Sequence, residues 1–200
     1  MRKDPDVRLC LFLWQTGFGE GNANDSMMIL RTERLILRPI AESDVEALHR
    51  VWTDPEVRRY LWDDVIISRE RVLEIVQESE ACFRDAGSGF FALELADEPG
   101  CLVGFCGHRR FEDGDQMELL YGILPDYWGR GLTTEAAAEV LRFGFEHCAM
   151  ERVVASTDTP NQRSVRVLQR LGMVFEARRE YRGLDTVFYS ITPQDLAARL

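Results

Sequence analysis

Chemistry in this chain gathers in residues 117–146, MELLYGILPDYWGRGLTTEAAAEVLRFGFE. This stretch passes from an apolar run through Pro125 and Gly129-Arg130-Gly131 into an alanine-rich segment that opens with Thr133 and Thr134. A glycine loop feeding a helix start leaves backbone N–H groups without partners and presents the positive end of the helix dipole, and an anionic phosphate suits both. The stretch predicts docking of a phosphate-bearing cofactor. Two other phosphate patterns do not apply. The dinucleotide fingerprint G-x-G-x-x-G fails because position 134 is threonine, and the P-loop fails for want of Gly-Lys followed by Ser or Thr. A further polar pair is Asn161, placed after Asp158-Thr159-Pro160 where it can cap a helix, with Ser164 three residues on.

These residues need elements to hold them. Residues 34–40 alternate, with Leu35 and Leu37 on one face, and read as a first strand interrupted at Pro39. Ser43 with Glu46 forms a capping box ahead of Val45, Leu48 and Trp52 at helical spacing, and Thr53-Asp54-Pro55 halts that helix. A second helix is predicted over 68–87. Between the two, Tyr60, Leu61 and Trp62 form an aromatic cluster in a loop, where packing is favoured over a substrate lid. Residues 90–95 and 102–110 flank the turn Asp97-Glu98-Pro99-Gly100 as a hairpin, and 117–124 adds a third antiparallel strand. Gly104 and Gly107 inside this meander predict a bulge or a close backbone approach.

The helix after the glycine loop carries a polar stripe at Glu135, Glu139, Arg142 and Glu146, opposite Ala137, Leu141 and Phe145, so its apolar side should cover a sheet. Residues 152–157 then form a strand reached by a parallel, right-handed crossover. The helix capped by Asn161 buries Val165, Leu168 and Leu171 and stops at Gly172, before one or two strands near 174–178 and 186–191. The fold class is α/β (α+β): a mixed, mostly antiparallel sheet of six to seven strands with about four helices, in one domain over 28–200. Residues 1–27, Gly/Asn/Asp-rich at their end, read as a flexible extension.

The bulk numbers exclude several function classes. With 200 residues and a formal net charge of -10, the chain argues against nucleic acid as a main partner, since phosphate-dominated binding needs a cationic face and only a local basic groove is left open. The five cysteines Cys10, Cys82, Cys101, Cys106 and Cys148 are odd in number and contain no C-x-x-C pair, which favours buried reduced thiols over a disulfide framework or a metal site. No stretch approaches the roughly 20 apolar residues of a membrane span. A cytoplasmic protein without a membrane partner or metal, monomeric or homodimeric, is expected.

The motifs in combination resemble the GNAT superfamily of acyl-CoA-dependent N-acyltransferases. Asp126-Tyr127-Trp128-Gly129-Arg130-Gly131 is similar to the family's Q/R-x-x-G-x-G/A pyrophosphate loop, with aspartate in the first position. The form Y-W-G-R-G-x-x-T-E-A resembles the ribosomal-protein N-terminal-acetyltransferase branch. Asn161 to Leu168 followed by Leu171-Gly172-Met173 is similar to that branch's second signature, and Thr32 to Pro39 to its start. The likeness runs over about residues 28–192.

What the resemblance implies is a sheet splayed between its fourth and fifth strands, 117–124 and 152–157, with acetyl-CoA as cosubstrate lying in the gap. Its pantetheine arm would pair with the backbone of Ile123 and Leu124. Its pyrophosphate would take N–H groups from Gly129, Arg130 and Gly131, with a hydroxyl from Thr133 or Thr134. Asn161 would bond the pantetheine, aided by Ser164. The acceptor would be a primary amine, on a protein N-terminus or a small molecule. Glu118 is the candidate base, acting through a water, and His108 is the second candidate. Many relatives place a tyrosine acid seven residues after the capping asparagine, whereas this chain has Leu168 there, so the acid is unassigned. A non-catalytic acyl-CoA-binding or sensing domain of the same fold is the alternative.

Overall fold

The computed structural model describes residues 28–111 and 114–198. The predicted extension 1–27 and Cys10 lie outside the described residues. One eight-stranded sheet organises the chain, in the order β1-β2-β3-β4-β5-β6-β8-β7. It begins with β1 (Leu30–Arg31) and β2 (Leu35–Pro39), followed by three helices: α1 (Val45–Thr53), α2 (Pro55–Leu61) and α3 (Arg69–Ala86). The meander β3 (Phe90–Leu95), β4 (Glu98–Arg110) and β5 (Met117–Ile123) leads through the glycine loop into α4 (Leu132–His147). Then come β6 (Val153–Asp158), α5 (Gln162–Leu171), β7 (Val174–Tyr181), β8 (Leu184–Ile191) and α6 (Pro193–Ala197). Among the described residues no helix is long and apolar enough to cross a membrane.

The mixed, mostly antiparallel class is as expected, with more elements than the sequence pattern resolved. Short β1 and α6 escaped it, and so did α2. Pro55 does halt α1, but it also sits at the first position of α2, while Asp54 caps that helix by accepting from the N–H groups of Glu56 and Val57. The α1 entry is also held differently. Asp44, not Ser43 with Glu46, closes the turn by accepting from Ala41 N at 2.9 Å, and Arg38 clamps both Asp44 oxygens at 2.7 Å. The β3–β4 turn falls at Ala96-Asp97, and β4 takes up Glu98 to Gly100 as an irregularity opposite Glu94. Gly104 and Gly107 are the predicted close approaches. A Cβ at either would lie 2.4 Å or less from a carbonyl of the neighbouring backbone.

The sheet separates two cores. On one face α4 and α5 cover Leu35, Leu93, Val103, Leu119 and Val153; on the other α1 to α3 cover Ile40, Ala92, Leu102 and Phe105. Each fully buried Leu, Val or Phe here contributes about 1.5–3 kcal/mol.

Every neighbouring pair in the sheet is antiparallel except β5 and β6, and these pair only at Met117↔Val153 and Glu118↔Val154. Beyond Glu118 the strands part while β4 continues to pair with β5 as far as Ile123 and β8 with β6 as far as Asp158. The splay thus falls where expected, between the fifth and sixth strands once β1 is counted.

Candidate active site

The parting strands open a cleft of about 500 Å³, lined by β5, the glycine loop, β6, α5, α2 and the β7–β8 turn. Along β5, side chains alternate between the two faces of the sheet. Leu119, Tyr121 and Ile123 pack towards the α4 and α5 core, and Leu120 towards the other. Only at a splay can residues from both faces line one space. Glu118 and Tyr121 both do.

The glycine loop has the shape that the phosphate chemistry needs. Gly129 and Gly131 have φ of 76° and 79°, a left-handed backbone that glycine adopts without strain. Helices α2, α3, α5 and α6 are capped by the side chains of Asp54, Ser68, Asn161 and Thr192, whereas α4 begins on Gly131 with no side chain to satisfy its first amides. Nothing lies within 4 Å of a Cβ built at Gly129. An open, uncapped N-terminus beside Thr133 and Thr134, both lining the cleft, fits an anionic phosphate.

Of the predicted binding residues, Ile123, Gly129, Gly131, Thr133, Thr134, Asn161 and Ser164 line this cleft, and Leu124 and Arg130 do not. Leu124 is a correction. Its N–H donates to Val103 O at 2.9 Å and its carbonyl accepts from Tyr127 N, so both groups expected for a ligand are in use. Since Leu124 N points to β4, Ile123 N points the other way, to the side from which β6 has departed. The Ile123 carbonyl accepts from Trp128 Nε1 at 2.8 Å. Arg130 contributes its carbonyl as an acceptor for Arg34 and stacks its guanidinium on Tyr127. Asn161 caps α5 through a bond from Ser164 N at 3.2 Å.

The two candidate bases are kept apart. Glu118 is 3% exposed, at the last pair before the strands part, and accepts from Arg109 Nε and Ser156 Oγ, both at 2.9 Å. His108 is 1% exposed and does not line the cleft. It pairs with Leu119 and lies under α4, where a Cβ at Gly144 would sit 2.9 Å from its Cε1. Its Nδ1 bonds Ser88 Oγ at 2.8 Å, its Nε2 is buried without a partner, and burial pulls its pKa down to about 4. Cys106 is fully buried, and burial pushes its thiol well above the usual range, which suits a core residue and not a nucleophile.

Sequence reasoning missed the far wall. Tyr60 and Leu61 belong to α2 and line the cleft with Asp63, while Trp62 packs edge-on against Trp52. Facing them are Asp158 and, from the β7–β8 turn, Tyr181, Arg182 and Leu184. Burial and then the nearby Asp63 raise the pKa of Asp158, against a hydrogen bond from Thr186. The one available signal was Asp54-Pro55, which starts a helix as readily as it stops one.

Residues 34–174 match the family model of the acetyltransferase (GNAT) domain. This chain belongs to the GNAT acetyltransferase family. It is 31% identical over 170 residues, covering 82% of this chain and 96% of the relative, to the Bacillus subtilis protein named uncharacterized N-acetyltransferase YoaA. In fold it is similar to the acetyltransferase from Agrobacterium tumefaciens, with a TM-score of 0.72 at 24% identity over 86% of this chain and 99% of that one. It is also similar to RimL, a ribosomal L7/L12 alpha-N-protein acetyltransferase solved with coenzyme A, with a TM-score of 0.70 at 20% identity, covering 82% and 98%. The GNAT chain described here is thus an acetyltransferase, with the family's architecture across nearly all of its described residues.

Proposed function

We propose that this protein transfers acetyl directly from acetyl-CoA to a primary amine in a ternary complex. The observation that carries this reading is the convergence of three features on one cleft: the β5–β6 splay, the uncapped α4 N-terminus, and Glu118 at the fork. The pyrophosphate lies against the N–H groups of the glycine loop and α4, and Thr133 and Thr134 add hydroxyl donors. Ile123 N–H, aimed into the gap, bonds the pantetheine arm or the carbonyl oxygen as charge develops on it.

The acceptor enters from the end lined by Tyr60, Asp63 and Asp158. Carboxylates there suit an amine that arrives as a cation, on a protein N-terminus or a small polyamine alike. An ammonium cannot attack, so a proton must leave first. Glu118 takes it through a water, and its hydrogen bonds to Arg109 and Ser156 fix the direction of its free lone pairs.

Calorimetry with acetyl-CoA and a thiol-release assay over a panel of amines test this reading together. Binding with turnover is expected. Glu118→Gln should lower kcat by about 100-fold, within the range for a general base, and alter the pH profile while acetyl-CoA affinity stays the same. Leu168, buried at the position where the family resemblance implies a tyrosine acid, favours the second reading, an acyl-CoA-binding domain without chemistry. Tight binding with no turnover on any amine would support that instead.

A further inference from the structure

Acyl transfer must manage protons on two sides of one carbon, and Glu118 addresses only the side of the attacking amine. Tyr121 occupies the other face of β5 and lines the same cleft. Its Oη lies 2.8 Å from Ser164 Oγ and 3.3 Å from the Ser164 carbonyl oxygen. Ser164 is in the first turn of α5, with its backbone N–H held by the Asn161 cap. It stands one helical turn before Leu168, so the two share a face of α5. A strand and a helix therefore bring two hydroxyls together one turn from the position where an apolar residue replaces the expected acid.

We propose that Tyr121 is a positioning residue for departure of the thiol: its phenol donates to Ser164 Oγ, which turns the serine's own proton into the cleft towards the sulfur. This rests on the acetyl transfer proposed above. The amine nitrogen bonds the carbonyl carbon, and the C–S bond breaks with its electron pair on sulfur. Sulfur takes the Ser164 hydroxyl proton. The serine oxygen regains one, through solvent, from the nitrogen, which sheds a proton on becoming an amide. Tyr121 keeps its own proton throughout, since burial pushes its phenol far above the usual range. The α5 N-terminus favours the negative charge that builds on sulfur.

Kinetics and calorimetry on Tyr121→Phe, Ser164→Ala, Ser164→Thr and the double variant Tyr121→Phe/Ser164→Ala test the assignment. Tyr121→Phe and Ser164→Ala should each lower kcat by roughly 100-fold, the lower end of the range for proton transfer, and Tyr121→Phe should keep acetyl-CoA affinity and melting temperature close to those of the parent. The double variant should be no slower than the slower single one, because the two hydroxyls act as a unit. Ser164→Thr, which keeps the hydroxyl, should restore most of the rate. An unchanged kcat in Tyr121→Phe, losses that multiply in the double variant, or a fall in kcat matched by an equal fall in acetyl-CoA affinity would each overturn the positioning role. A parent protein that binds acetyl-CoA and acetylates no amine fails the function itself, and that result is distinguishable because it precedes any variant.

Discussion

His108 shows how burial, and not residue type, sets what a titratable side chain does. Its ring sits under α4 with Nδ1 on Ser88 and Nε2 unpartnered, so a charge there would have neither water nor a carboxylate to offset it. The imidazole is neutral in the folded protein down to about pH 4, from an ordinary value of 6.5. Between those pH values the unfolded chain binds a proton that the folded chain refuses. The resulting stability is complete above pH 6.5 and is lost as the pH falls towards 4, at about 1.4 kcal/mol per unit. Unfolding free energies from urea titrations across that window should fall more steeply for the parent than for His108→Gln, by about 3 kcal/mol in total. Parallel slopes would mean that His108 titrates normally and is less enclosed than its position implies.

At the scale of elements, the glycine loop is held from a part of the chain about a hundred residues away. Arg34, in the β1–β2 turn, donates from Nε to Glu135 Oε2 at 2.7 Å and from Nη1 to the Arg130 carbonyl at 2.9 Å, while its backbone N–H and the Thr32 hydroxyl take Glu135 Oε1. Burial opposes ionisation of Glu135, but the bonds from Thr32 and Arg34 outweigh it and leave its pKa lowered. The loop is thereby fixed before any phosphate arrives. Arg34→Ala should weaken acetyl-CoA binding roughly tenfold by calorimetry, since a hydrogen bond to a charged group is worth about 1.5–3 kcal/mol and this one is half exposed. Gly131→Val should abolish binding, because a branched residue at φ 79° must shift the backbone that presents the loop's N–H groups.

The sequence made the loop itself plain, because glycine, threonine and a following helical period are local signals. It hid the anchor, because nothing local relates Arg34 to Arg130. The same distinction explains α2 and the far wall of the cleft: Asp54-Pro55 reads as a stop when only the preceding helix is in view. It also explains Tyr121, an ordinary strand residue until the fold sets Ser164 beside it. Glu118 was legible as a carboxylate in an apolar strand. That β6 parts from β5 at that residue is set by how far the strands pair, which no single stretch encodes.

For the whole molecule, a net charge of -10 surrounds a cleft that carries both signs. Arg163 and Arg166 of α5 line one wall, and Arg163 stacks on Trp128 at 4.1 Å beside the glycine loop and pairs with Glu56 of α2. Asp63 and Asp158 also line the cleft, together with Arg182, and the raised pKa of Asp158, due to burial and then to Asp63, marks two carboxylates in one field that a cation would relieve. Residues of both signs thus line one cleft, which opens from the β5–β6 fork at Glu118. An acceptor that is positively charged in solution should be drawn in by the outer field as well as by these two groups. Raising ionic strength from about 0.01 to about 0.3 M shortens the screening length from about 30 Å to about 6 Å. Over that range kcat/KM for a diamine should fall several-fold, and for an amine that is uncharged at the assay pH it should barely change. Asp63→Asn should flatten the diamine's dependence and raise its KM while leaving acetyl-CoA affinity unaltered. Equal salt responses for the two acceptors would place recognition in shape and hydrogen bonding at Tyr60 and Tyr181, and not in charge.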